Sequence, residues 1–231
     1  MLSIAPDVTQ VLPDAKMGFL LMTNINTEGK LSQDTMTKTI AAIHAKYEHL
    51  DRKSLKESNP IQSYISYYKS FGYSYHVLAQ LESMLKGKKS PHTESGILQA
   101  MFLTELESML LTAGHDASKL QIPLELQIAK GNETYVSISG KEECAIKDDL
   151  MVHDQKSILS SILRGPDYAS RITPDTTEAL FTIYAPPGIN TELIMKALKE
   201  LEGRLTSFSP LAETVLLQVY HAVSAEETAP L

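Results

Sequence analysis

Three stretches gather residue types that can do chemistry. In "TAGHD", His115 and Asp116 pair a group that titrates near neutrality with a carboxylate, the makings of an acid/base couple. In "LKGKKSPH", Lys86, Lys88 and Lys89 cluster with His92, a local positive patch able to track a phosphate backbone. In "LRGPDYASRITPDTTEALF", Arg164, Asp167 and Arg171 are followed by Thr173, Thr176 and Thr177. An arginine fork suits a carboxylate or phosphate, and the hydroxyls supply neutral donors and acceptors for a small polar ligand. Each stretch also has a plainer account. His115 and Asp116 could dress a helix end and its turn, the lysines a solvated helix C-terminus, and an Arg171–Asp167 pair with capping threonines the third stretch.

The elements that must hold these residues follow from periodicity. The run "KMGFLLMTNIN" has no helical period and predicts a buried strand. Met36, Ile40, Ile43 and Tyr47 fall on one helical stripe, for which Asp34 is the expected cap. Pro60 is placed to open a helix that Gly72 ends, and a second helical pattern runs over 75–85. The broad apolar face of Ile97, Met101, Leu103, Leu106, Met109 and Leu110 predicts a helix over 95–112 with Gly114 as its stop. "IPLELQIAKGNETYVSISGKEE" alternates on both sides of "KGNE" and reads as a hairpin. "SILSSIL" and "EALFTIYAP" are strand candidates. "GINTELIMKALKELEGRL" is an amphipathic helix capped by Asn190 or Thr191, and "AETVLLQVYHAV" is a last strand. The expectation is one α+β domain over 1–231 with a frayed tail at 224–231, since no Pro/Gly/Ser linker divides it.

Composition narrows the function. The chain has 231 residues, 43% of them apolar, and a formal net charge of -7, the wrong sign for holding nucleic acid by bulk charge. An RNA partner would need a local basic patch. The single cysteine, Cys144, lies in the acidic "KEECAIKDD", and no paired-cysteine, HxH or HExxH spacing is present, so neither a metal nor another cofactor is expected. GxSxG, Walker and GxGxxG motifs are missing. No run approaches the ~20 apolar residues of a membrane span, and Pro6 and Pro13 interrupt the N-terminus. A cytoplasmic protein without a membrane partner is expected. The pattern does not fix an oligomeric state.

Taken in order, "NPIQSYISYYKSFG", "LKGKKSP", "ILQAMFLTELESMLLTAGHD", the strand pair ending in "SGKEE" and "SRITPDTTEALFTIYAP" resemble the B3/B4 domain family. That domain occurs inside the β subunit of phenylalanyl-tRNA synthetase and as free-standing proteins. The resemblance covers about 60–205, with 1–59 an N-terminal strand-and-helix elaboration and 206–223 a C-terminal strand. It implies a layered, β-sandwich-like core of unusual topology with helices packed against it. In the synthetase the module is an editing pocket that hydrolyses tyrosine mischarged onto the phenylalanine tRNA; ligase activity is not implied here. Aligned on Asp116, the position of the editing histidine is held by Ala113, and that of the glutamate that recognises the tyrosine hydroxyl by Thr182.

Two readings follow. In one, the protein is a free-standing aminoacyl-tRNA hydrolase. Arg164 and Arg171 hold an anionic group with Asp167, Thr173 and Thr176 beside them, His115 and Asp116 act as acid and base, and Lys86, Lys88 and Lys89 face the tRNA. In the other, it is a non-catalytic module that kept the fold and a pocket for RNA or a small amino-acid-like ligand.

Overall fold

The computed structural model describes residues 2–88 and 93–222, a mixed α+β arrangement. In chain order the elements are β1 (Leu2–Ile4), α1 (Pro6–Val11), β2 (Lys16–Thr23), α2 (Gln33–Tyr47), α3 (Arg52–Glu57), α4 (Ile61–Ser70), α5 (His76–Leu85) and α6 (Gly96–Ser108). There follow β3 (Leu111–Asp116), β4 (Leu124–Ile128), β5 (Thr134–Val136), β6 (Glu142–Cys144), β7 (Leu150–His153), β8 (Ile158–Ser161), β9 (Gly165–Pro166), β10 (Ala179–Ala185), α7 (Thr191–Phe208) and β11 (Glu213–His221). None of the described helices is long and apolar enough to cross a membrane.

The strands form a five-stranded sheet in the order β1-β4-β7-β8-β9, a four-stranded sheet in the order β11-β2-β10-β3, and a small β5-β6 ribbon. β10 is buried along its whole length because both of its faces are covered. On one side α7 packs against it and β2. Gly18 makes this close approach possible, since a Cβ there would lie 2.6 Å from Ile194 and 3.0 Å from Leu198. On the other side the Tyr184 hydroxyl meets Ser160 of β8, joining the two sheets.

Three tyrosines one helical turn or less apart anchor α4 into this core. The Tyr64 hydroxyl donates to the Tyr184 carbonyl and accepts from the Leu111 N–H at 3.0 Å. Tyr67 donates to Asp149 Oδ1 at 2.7 Å, and Tyr68 to the Ile162 carbonyl at 2.9 Å. The single helix α4 thus ties β3, β7 and β10 to the turn after β8, which explains why "SYISYYKS" spends three aromatic residues with polar tips on a buried face.

Several elements differ from expectation. The helix predicted over 95–112 ends at Ser108: Met109 adopts a left-handed φ of 57° and the chain turns into β3. Leu111, Thr112 and Ala113 fit a helix or a strand, and pairing with β10 decides for the strand. His115 and Asp116 therefore sit on a strand, not at a helix end. The expected β4–β5 hairpin does not form. β4 instead lies between β1, to which it is parallel, and β7, while β5 pairs with β6 around a turn in which Gly140 adopts φ 77°. Glu133 explains the break, because its carboxylate accepts the N–H groups of Lys130, Gly131 and Asn132 and curls the chain there. Ser32, not Asp34, caps α2 by accepting the Thr35 N–H at 3.1 Å; Asp34 pairs with Lys38. The charged link "DRKSLKESN" contains α3, capped by Asp51. The tail at 224–231 lies outside the described residues.

Candidate functional site

β3 sends Leu111, Ala113 and His115 to one face, toward the five-stranded sheet. Opposite them on β10 stand Tyr184, Thr182 and Leu180 in direct cross-strand register. This row divides the predicted residues. Leu111, Ala113 and Tyr184 line a cavity of about 300 Å³. His115 lies beyond it, wholly buried.

The cavity lies between the helices and the edges of both sheets. Tyr184, Ser160, Ser161 and Ile162 are buried and form its floor, while His76, Ile138 and Arg164 are the exposed lining residues and mark its mouth. Tyr68 and Glu105 complete the side contributed by α4 and α6. Its chemistry is amphipathic: aliphatic and aromatic walls, two serine hydroxyls, a carboxyl group and a guanidinium.

Glu105 was not singled out by the sequence, where it is one acid among several on α6. It reaches from the helix to the strand that follows, and its Oε1 accepts the Thr112 N–H at 2.8 Å and the Thr112 hydroxyl at 3.0 Å. Both bonds fall on one oxygen; among the described residues none falls on Oε2. Burial pushes its pKa from 4.5 up to about 7, against the two Thr112 hydrogen bonds that favour the charged form. His76, at the mouth, is held below its ordinary pKa by partial burial.

Arg164 is the one predicted ligand-binding residue that lines this cavity. Its guanidinium lies 3.5 Å from Glu143 of β6, a half-exposed pair that leaves other N–H donors uncommitted to that carboxylate.

The remaining predicted residues form two internal networks and a surface stack. In the first, His115 Nδ1 and the Ser170 hydroxyl lie 2.7 Å apart, and Ser170 donates to Asp167, whose Oδ1 is 3.6 Å from the same ring nitrogen. Burial acts to raise the Asp167 pKa, but the nearby His115 ring and the hydrogen bonds from Ser170 outweigh it and hold this carboxyl below its usual value. His115 Nε2 is buried with no hydrogen-bond partner among the described residues. In the second network Asp116 accepts from Ser118 N–H at 3.1 Å and from Thr176 Oγ1 at 2.8 Å, and Thr176 in turn accepts the Thr173 N–H at 2.9 Å. His115 and Asp116 are adjacent in sequence yet point to opposite faces of β3, so they belong to different networks.

Arg171 stacks on the exposed Tyr168 ring, 3.6 Å from its centroid, and donates to the Tyr168 carbonyl at 2.7 Å. The Arg171–Asp167 pair does not form because Asp167 faces inward to Ser170 and His115. Lys86 is the C-cap of α5 and Lys88 follows it in the turn, both exposed. Lys89 and His92 lie outside the described residues. Cys144 is exposed on β6.

The two positions matched to editing residues are direct partners: Ala113 on the cavity wall faces Thr182 across the strand pair. Thr182 is 1% exposed, and among the described residues its hydroxyl has no hydrogen-bond partner. With this geometry described, the chain can be set beside known proteins. No protein-family model matches it, and no curated protein does. A solved structure resembles it. That structure is an N-terminal fragment of the phenylalanyl-tRNA synthetase β-subunit from Pyrococcus horikoshii, 10% identical, with a TM-score of 0.48. The match covers 94% of this chain and 54% of the fragment, so the chain spans about half of the fragment's length.

Proposed function

We propose that this protein is a B3/B4-type module that binds an amino-acid-like group in the cavity between β3, β8 and α6. The observation that carries the reading is the cavity itself: about 300 Å³, largely apolar on its walls, with the carboxyl of Glu105 and the guanidinium of Arg164 among its lining groups. An amino acid presents the complementary set, an apolar side chain with one cationic and one anionic end.

The B3/B4 resemblance supplies the carrier in this proposal, the aminoacylated end of a tRNA. In that form the ester takes the place of the free carboxylate, and Arg164 contacts the ester or the adjacent phosphate. Lys86, Lys88 and Lys89 are then candidate contacts for the RNA backbone. Binding is favoured over hydrolysis because His115 and Asp116 are outside the cavity and engaged in separate networks. In this role His115, Asp116, Asp167, Thr173 and Thr176 set the shape of the frame rather than touch the ligand.

The test is equilibrium binding of a panel of free amino acids and of matched aminoacylated and uncharged tRNAs to the wild type and to Arg164→Ala. Loss of one charge-assisted contact predicts affinity for the preferred ligand lower by about 10-fold or more. Equal affinity of the two proteins for every ligand would remove Arg164 from the site, and no binding at all would sink the reading.

A further inference from the structure

We infer that Glu105 is the specificity-determining residue of the cavity: its free Oε2 receives the ammonium of the ligand, so the site selects an unblocked primary amine. The inference rests on the binding reading above and names the group that reads the ligand.

The Glu105 carboxyl group is held asymmetrically. Oε1 is fixed by two donors from Thr112, one backbone and one side chain, which locks the group's orientation. Oε2 is left with no donor among the described residues, on a partly exposed side chain that lines the cavity, so it is open to a partner from the cavity. A water-filled cavity supplies one loosely; a ligand ammonium supplies charge and hydrogen bonds together.

The surroundings make that ammonium the fitting donor. The groups facing Glu105 are Tyr68 and Tyr64 from α4, Tyr75 and His76 around the start of α5, and Arg164 from the turn before β9. Burial raises the pKa of all three tyrosines, so they are neutral near pH 7. His76 is kept toward its neutral form. Arg164 alone is a fixed cation, and Glu143 offsets it. Among the described residues no cation is close-paired to Glu105, and a cationic ligand would complete it.

A protonic consequence follows. The empty site holds Glu105 near half protonation at neutral pH, because burial raises its pKa to about 7. With a free amino acid, whose amine is fully protonated at neutral pH, the arriving ammonium favours the carboxylate, so the carboxyl proton passes to solvent while the amine keeps its own. Binding at about pH 7 then releases roughly half a proton per ligand.

The experiment is isothermal titration calorimetry at neutral pH in Tris and in phosphate, whose ionisation heats differ. Probes are L-alanine, L-leucine, L-phenylalanine and L-tyrosine, their methyl esters and their N-acetyl forms. The expected result is that N-acetylation weakens binding by at least roughly 30-fold. For the free amino acids, heats in the two buffers should differ by the roughly half-proton release in the wild type and agree in Glu105→Gln. Glu105→Gln is the chosen variant because its Oε1 can still accept both Thr112 bonds, so a merely structural role would leave amine preference and buffer heats alone. Equal affinity for free and N-acetyl probes, or a variant that keeps the amine preference, would overturn the inference while leaving the binding reading intact. Binding of none of the probes in either form would overturn both.

Discussion

Replacing Glu105 by Gln should make the protein more stable at neutral and alkaline pH, by an amount that grows from about pH 5 to pH 7 and then levels off. The folded protein holds this carboxyl at about 7, whereas the ordinary value is 4.5. Between those values the folded chain binds more protons than the unfolded one, so wild-type stability falls as pH rises through that window and is level above it. At about 1.36 kcal/mol per pH unit, the ionised group costs the fold about 1 kcal/mol near pH 5 and about 3 kcal/mol near pH 8. The glutamine removes this charge while keeping an acceptor for Thr112 N–H and its hydroxyl. Urea denaturation of ligand-free wild type and variant at a series of pH values gives the difference directly, and every other titrating group cancels in it. The variant should gain about 2 kcal/mol on the wild type between about pH 5 and pH 8. A difference that stays flat with pH, or shrinks as pH rises, would refute the account of a shielded carboxyl in the cavity.

Other expected outcomes touch the frame. His115→Ala should destabilise by about 2–4 kcal/mol in chemical denaturation, since it empties a closed site and strips Ser170 of a partner. Asp167→Asn should flatten the acid limb of the stability profile: a carboxyl held below its usual pKa adds stability above the unfolded value and loses it as pH falls through the folded one. Gly18→Ala should lower the melting temperature through a loss of about 1–3 kcal/mol, because its methyl would strike Ile194 and Leu198 of α7. In the RNA-bound reading, Lys86→Glu with Lys88→Glu should leave stability within about 0.5 kcal/mol while weakening tRNA binding and reducing its salt dependence. A filter-binding series in rising salt checks it.

What the sequence showed depended on how local the deciding interaction is. The buried strand β2, the stripes of α2 and α7 and the alternation of β4 are periodic over whole elements, and each was legible. The end of α6 was not, since Leu110 to Ala113 are apolar in either conformation and the choice is made by β10, some 70 residues away in sequence. Similarly, β4 reads as half of a hairpin until β1 and β7 take its two edges. Among site residues, Arg164 was visible as a cation beside a Gly-Pro turn. Glu105 was hidden because its neighbours on α6 include other acids, and only the fold puts it against Thr112. A usable signal was its place seven residues before Thr112, at the far side of a chain reversal. His115 and Asp116 looked like a couple because they are adjacent, and strand geometry separates them.

The central claim, an amino-acid-binding cavity at the β3 edge, is tested most directly by a two-dimensional amide NMR titration with the amino acid that binds best in calorimetry. The account predicts shifts concentrated at the amides of Thr112, Ala113, Ile162, Leu163 and Arg164, which line the cavity, with that of Thr112 moving as its Glu105 acceptor changes charge. Shifts centred instead on Ser118, Lys119 and Ser170, or none at saturating ligand, would contradict it.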